Sequence, residues 1–290
     1  MTRIVALFLA LFLLPAAVRA EQRADAKYAP HLKRAAYAAN GPVVAIDEAH
    51  ANFHTLEGKY APFGALLSAD GYRVRASAAR FSPQALTGVD VLVIANARSS
   101  SPGASGFGAD EIAAVRNWVS QGGSLLLISD HAPFGTAASR LAEAFGVNMG
   151  VGYVATQVGR GVSSQIHFGR SQLGNHPILS GIRSVQSFTG QSLSVPPGGT
   201  ALLVLPSDAL EVSSADDIRA LAEGHRVPAR SAAGRARAVA LPFGKGRVVV
   251  AGEAAMFTEQ IVPGIGRVGL TAEDDQQFAL NVLHWLSRLL

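Results

Sequence analysis

Four short runs along the chain are apolar at every position: "VVAI" (43–46), "VLVIA" (91–95), "LLLI" (125–128) and "VVVAG" (248–252). A strand with one wet face would alternate, so unbroken runs of this length predict strands covered on both sides. The segments between them read differently. Residues 60–69 have helical character, Asp70-Gly71 signals a turn, and "YRVRAS" (72–77) alternates as a half-covered strand does. After the Ser/Gly/Pro loop 98–108, Asp110 is the expected N-cap of a helix carrying Ile112, Val115, Trp118 and Val119 at helical spacing, stopped by Gly122-Gly123. A final helix is expected from near Thr271, with Phe278, Val282, Trp285 and Leu289 on one face and Gln277, Asn281, His284 and Arg288 on the other.

Apolar strands alternating with helices of this length predict an α/β fold, a flavodoxin-like three-layer sandwich around a mostly parallel sheet. Residues 146–199 are Gly-rich and irregular, with short pieces such as "SVQSFTGQSLSV", and are expected to form a β insertion over part of the sheet. Strand signals then return in "TALLVLP" and "AVALPFGKGRVVVAGE". The Gly-rich "GRGVSSQ" (159–165) and "GKG" (244–246) lack the rest of a phosphate loop and are expected to be turns.

Polar residues stand where the apolar runs stop: Asp47, Asn96, Asp130 and Glu253. In an open parallel sheet the carboxyl ends share one edge, and ligands bind there. His50, Asn52, His54, Arg98 and His131 follow closely, so the pattern predicts one polar crevice. Its candidate catalytic residues are Asp47, His50, Asp130, His131 and Glu253; Asn52, Asn96 and Arg98 are candidate ligand-binding residues.

Three chemistries fit such a crevice. A divalent metal, zinc or similar, would take Asp47, His50, His54, Asp130 and His131, with His50 and His54 at i, i+4 sharing a helical face, although no HExxH is present. Metal-free acid–base hydrolysis would pair a carboxylate with a histidine. A serine triad could start only from Ser129-Asp130-His131, whose adjacent side chains point to opposite sides, and no G-x-S-x-G occurs. Capping of a following helix is the plain alternative for Asp47 and Asp130. His176, before Pro177, is expected in a turn beside the site, while His31, His167 and His225 read as surface or loop histidines and Asn281 and His284 as structural.

Composition narrows the context. Residues 1–20 combine the basic Arg3, an apolar stretch from Ile4 to Leu14, Pro15, and Val18-Arg19-Ala20 with small residues at the −3 and −1 positions. This is the pattern of a secretory signal cleaved after Ala20, with a periplasmic or secreted product and no stable membrane insertion afterwards. Residues 21–41 form a polar lead. Removing Arg3 and Arg19 from 25 basic residues leaves 23 against 21 acidic ones, so no charged stripe favours nucleic acid. With no cysteine, thiol catalysis, thiolate metal sites and disulfides are excluded. The sequence does not set the oligomeric state.

"IDEAHANFHT", "GGSLLLISDHAPFG", "NHPILSGI", "GKGRVVVAGEAAMF" and "QFALNVLHWLS" together resemble a family, domain of unknown function 4350, in the class I glutamine-amidotransferase-like superfamily that includes the trehalose-utilisation ThuA-like proteins. The resemblance runs from about Pro42 to the C-terminus, and it implies a single domain over residues 42–290 with a ligand site at the strand carboxyl ends. It implies no reaction. The amidotransferases of the superfamily use a Cys-His-Glu triad, which a chain without cysteine cannot form. The expected function is hydrolysis of a small molecule or carbohydrate; the alternative is a non-catalytic periplasmic domain that binds a sugar-like ligand or serves as a scaffold.

Overall fold

The unbroken apolar runs become the middle of a seven-stranded sheet. In the computed structural model, which describes residues 22–159 and 161–290, its strands are β1 (Val43–Asp47), β2 (Arg73–Ser77), β3 (Val91–Ala95), β4 (Ser124–Ile128), β5 (Thr200–Val204), β6 (Ala236–Phe243) and β7 (Gly246–Ala251). The order across the sheet is β2-β1-β3-β4-β7-β6-β5. Neighbours from β2 to β7 pair in parallel; β6 runs antiparallel to both β7 and β5. The expected signal segment and its cleavage point lie outside the described residues, in which no helix is long and apolar enough to cross a membrane.

The lack of alternation in the central strands has a direct cause. Val44, Ile46, Val91, Val93, Leu126 and Ile128 pack against Phe63, Leu66 and Leu67 of helix α1 (Ala61–Ala69) and against Phe278 and Val282 near the C-terminus. Their neighbours Ala45, Leu92, Ile94, Leu125 and Leu127 point the other way, onto Val115 and Val119 of α2 (Ala109–Ser120) and Leu141 of α3 (Phe134–Glu143). Successive side chains of one strand thus enter opposite cores, and each position must be apolar.

Beyond the sheet, Tyr153–Val158 and Gly161–Ser163 of the Gly-rich segment join Leu210–Val212 and Arg230–Ser231 in a separate four-stranded sheet. Helix α4 (Ala215–Ala222) packs on it. This covering layer therefore draws on residues well past Gly199. Within the polar lead, Arg23–Ala24 pairs with Glu259–Val262, which pairs in turn with Gly266–Gly269. Gly71 has φ +91° and closes the turn after α1, where a Cβ would stand 2.0 Å from the Tyr37 carbonyl oxygen.

Two helix starts differ from the sequence pattern. Helix α2 begins at Ala109, so Asp110 lies inside its first turn; the end is capped by Glu111, whose Oε2 accepts the Gly108 N–H at 3.0 Å. Helix α5 (Asp275–Leu286) begins after Thr271 because the Thr271 N–H and hydroxyl are both held by the Glu259 carboxylate. Leu289 lies beyond its end and is exposed. On the polar side of α5, the Asn281 amide donates to the Ile178 and Ser180 carbonyls, and His284 Nε2 lies 2.6 Å from Asp70 Oδ2.

Candidate functional site

From β1 the chain crosses to β2 on one side, and from β3 it crosses to β4 on the other. Connections leaving in opposite directions open a crevice above the carboxyl ends of β1 and β3. Asp47 ends β1, Asn96 follows β3, Asp130 lies just past β4 and Glu253 just past β7, so all four stand on this edge. Their side chains nevertheless divide into two groups.

The first group is a buried knot. Asp47 is fully inaccessible. Its Oδ1 accepts the Ala49 N–H at 3.1 Å, its Oδ2 accepts the Asn52 amide at 3.0 Å, and both oxygens lie 2.9 Å from His50 Nδ1. The other ring nitrogen, Nε2, lies 2.9 Å from Glu111 Oε1 on α2. Glu111 is held in turn by Arg80 and by the Phe81 and Gly108 N–H groups. Phe81 and Phe107 cover the imidazole at ring separations of 4.6 and 4.7 Å. Burial opposes a charge on His50, but the bonds and charges of Asp47 and Glu111 outweigh it and raise its pKa. Both nitrogens face carboxylates, an arrangement that favours the doubly donating imidazolium.

The second group opens onto a cavity of about 240 Å³ lined by Phe53, His54, Asp130, His131, Phe134, Phe188, Thr189, Glu253 and Gln260, among others. Asn96 organises one wall. It adopts a left-handed backbone, φ 47°, which asparagine tolerates better than most residues. Its Oδ1 accepts the Asp130 N–H at 2.8 Å, which fixes the amide so that Nδ2 donates to Asp130 Oδ2 at 2.7 Å and to His54 Nδ1 at 3.2 Å. His54 Nδ1 is therefore an acceptor and Nε2 carries the proton. Burial keeps this ring neutral, lowering its pKa to about 4.

Asp130 is half-buried, and its remaining oxygen accepts the Ala254 N–H at 2.8 Å. Gln191 fixes the local backbone by donating to the Ser129 and Asp130 carbonyls at 2.9 Å each. His131 stacks on Tyr153 at 3.6 Å and donates from Nδ1 to the Ala132 carbonyl, so Nε2 is its free acceptor in the neutral ring. Glu253 is buried. Its oxygens accept the Ala255 and Met256 N–H groups at 2.8 and 2.9 Å, yet burial and then the charge of Asp130 raise its pKa to about 8. Arg237, also fully buried, places Nη1 on the Gln191 carbonyl at 2.7 Å and lies close enough to Glu253 to offset some of this.

The structure thus brings His54, Asn96, Asp130, His131 and Glu253 together, with the exposed Arg98 over the rings of Phe53 and Phe134, two residues that line the cavity. It assigns Asp47, His50 and Asn52 to the knot instead. His50 and His54 do not share a helical face, because no helix forms between β1 and α1. The five expected metal ligands do not form one coordination sphere: both His50 nitrogens are bonded to carboxylates and His54 Nδ1 to Asn96. Among the described residues, no three His, Asp or Glu side chains are grouped to hold a metal ion. Ser129 Oγ is buried and has no hydrogen-bond partner among the described residues, so no Ser–His pair exists there. His176 lies not beside the cavity but against Trp285, near the C-terminal end of α5. Glu111, Gln191 and Gln260 carried no sequence signal for a site, apart from the position of Glu111 at a helix start.

Solved structures share this architecture. The "mmIFT52 N-terminal domain" superposes with a TM-score of 0.61 at 16% identity, over 84% of this chain and 97% of that one. "Cytoplasmic Protein STM1381 from Salmonella typhimurium LT2" gives a TM-score of 0.51 at 14% identity, over 84% and 99%. The chain also has some likeness to a "Putative thua-like protein from Bacteroides uniformis ATCC 8492" (TM-score 0.47, 11% identity, 89% and 94% covered). At such identities the first two likenesses speak for the α/β fold alone. No protein-family model and no curated protein matches the chain.

Proposed function

We propose that the chain is an exported hydrolase of a small molecule or carbohydrate, acting through Asp130 and Glu253, and that it belongs to the domain of unknown function 4350 branch of the ThuA-like superfamily. The observation that carries the reading is the pair of carboxyl groups at the cavity. One is half-buried and held by two N–H donors; the other is buried behind it and keeps its proton to about pH 8. A carboxylate beside a second carboxyl group that holds its proton can supply base and acid. In this scheme Asp130 takes a proton from an attacking water, Glu253 delivers its own to the leaving oxygen as the bond breaks, and the His54 Nε2–H steadies the developing charge. The family assignment is supported by the motifs around Asp47 and Asp130, and export by the tripartite N-terminus.

The test is turnover on a panel of aryl glycosides and esters. Asp130→Asn and Glu253→Gln should each reduce kcat/KM at least about 100-fold while circular dichroism shows retained folding. A wild-type protein that turns over none of the panel, but is stabilised by a saccharide, would favour a second reading: a non-catalytic domain that uses the crevice for binding. One observation supports that alternative, namely that both Glu253 oxygens accept N–H groups of their own loop, as a structural anchor would.

A further inference from the structure

We infer that the cavity takes an acidic sugar or similar anionic polyol, its hydroxyl groups inside and its negative group on Arg98, over the Phe53 and Phe134 rings. The inference rests on the cavity being the functional site. The guanidinium of Arg98 is exposed and lies over two rings that line the cavity, 4.9 Å from the centre of Phe53 and 5.5 Å from that of Phe134. Among the described residues it forms no salt bridge, although acidic residues are plentiful along the chain. Its backbone is also fixed, because the Arg98 N–H donates at 2.9 Å to the carbonyl of His50 in the buried knot. A cation resting over aromatic rings still has N–H groups with which to bind a planar or tetrahedral anion.

The interior calls for different chemistry. Gln260 is buried in the wall with Oε1 unpartnered among the described residues, and Asp130 adds a carboxylate. Asp130 accepts hydrogen bonds and repels an anion, while the His54 Nε2–H donates, so the interior suits hydroxyl groups, which do both. The part-exposed rings of Phe53 and Phe188 offer apolar faces for the C–H side of a sugar. The volume, about 240 Å³, lies below the roughly 300–1,000 Å³ of pockets for drug-sized ligands and suits one sugar unit. The Asp130 carboxylate inside and a cation outside set the orientation: polyol inward, anion outward.

The experiment is calorimetric titration of the full mature chain with D-glucuronate, glucose 6-phosphate and D-glucose, with sodium acetate as an anion control, for wild type, Arg98→Gln, Arg98→Lys and Gln260→Leu. At least one anionic sugar should bind about tenfold or more tightly than glucose, the size of one charge-assisted contact. Which of the two wins distinguishes a carboxylate from a phosphate ligand. Arg98→Gln should erase the preference, Arg98→Lys should keep part of it, and Gln260→Leu should weaken both kinds of sugar alike. Glucose binding as tightly as both anions overturns the inference while leaving the site reading intact. A preference that survives in Arg98→Gln, or acetate binding as tightly as the anionic sugars, overturns it as well. If no sugar binds, the site reading fails and the inference with it.

Discussion

His50 Nε2 lies 2.9 Å from Glu111 Oε1, joining the exit of the first central strand to the start of a helix 61 residues later. This bond closes a carboxylate–imidazolium–carboxylate chain from Asp47 through His50 to Glu111, under the rings of Phe81 and Phe107. The carbonyl of His50 also accepts the Arg98 N–H, which ties the start of the loop after β3 to this chain.

Breaking that chain should damage folding more than chemistry. Glu111→Gln leaves a buried imidazolium with one carboxylate, and loss of a partner in such a pair costs about 3 kcal/mol. For a chain of this size the melting midpoint should fall by about 6–12 °C. Urea unfolding of wild type and variant measures it; a loss under about 1 kcal/mol would show the pair to be incidental.

The same pair carries a pH signature. The folded pKa of His50 is raised above its ordinary 6.5, so its stabilisation is complete below pH 6.5 and is lost as pH climbs through the raised value. The midpoint difference between wild type and His50→Gln, followed from pH 5 to 9, should narrow toward the alkaline end. A constant difference would mean that His50 acts only by packing.

Glu253 gives a second window. Its pKa moves from 4.5 to about 8 on folding, so the folded protein binds the proton more tightly, and this contribution falls steadily between those values. Relative to wild type, Glu253→Gln should gain stability as pH rises from 5 to 8, because its amide has no proton to lose. Thermal scans at fixed ionic strength read the slope, and a negative slope would contradict the assignment.

Asn96 should tolerate substitution poorly. Asn96→Asp puts a carboxylate where an amide donates to Asp130 at 2.7 Å and to His54 at 3.2 Å, exchanging two hydrogen bonds for a repulsion. A loss of about 2–4 kcal/mol is expected near pH 7, easing in acid as one carboxylate takes a proton. Guanidinium unfolding at pH 5 and 7 separates this from loss of the left-handed backbone alone, which would not depend on pH.

Hydrophobic patterning alone placed the central strands, because burial on both faces leaves an unbroken apolar run in the chain itself, and the fold class followed from those runs and the helices between them. The polar residue at each strand end, Asp47, Asn96, Asp130 and Glu253, was equally visible. The division of labour among them was not. Asp47 and His50 look like the densest chemistry in the sequence, yet Glu111 arrives from α2 to bind the second nitrogen of His50. Asn96 reaches both His54 and Asp130 only because β3 lies between β1 and β4. Gln191, Arg237 and Gln260 come from segments that carry no local signal. Strand identity depends on neighbouring residues and survives in the sequence; hydrogen-bond partners depend on which strands and loops become neighbours in space, and that was decided only when the two cores packed on the sheet.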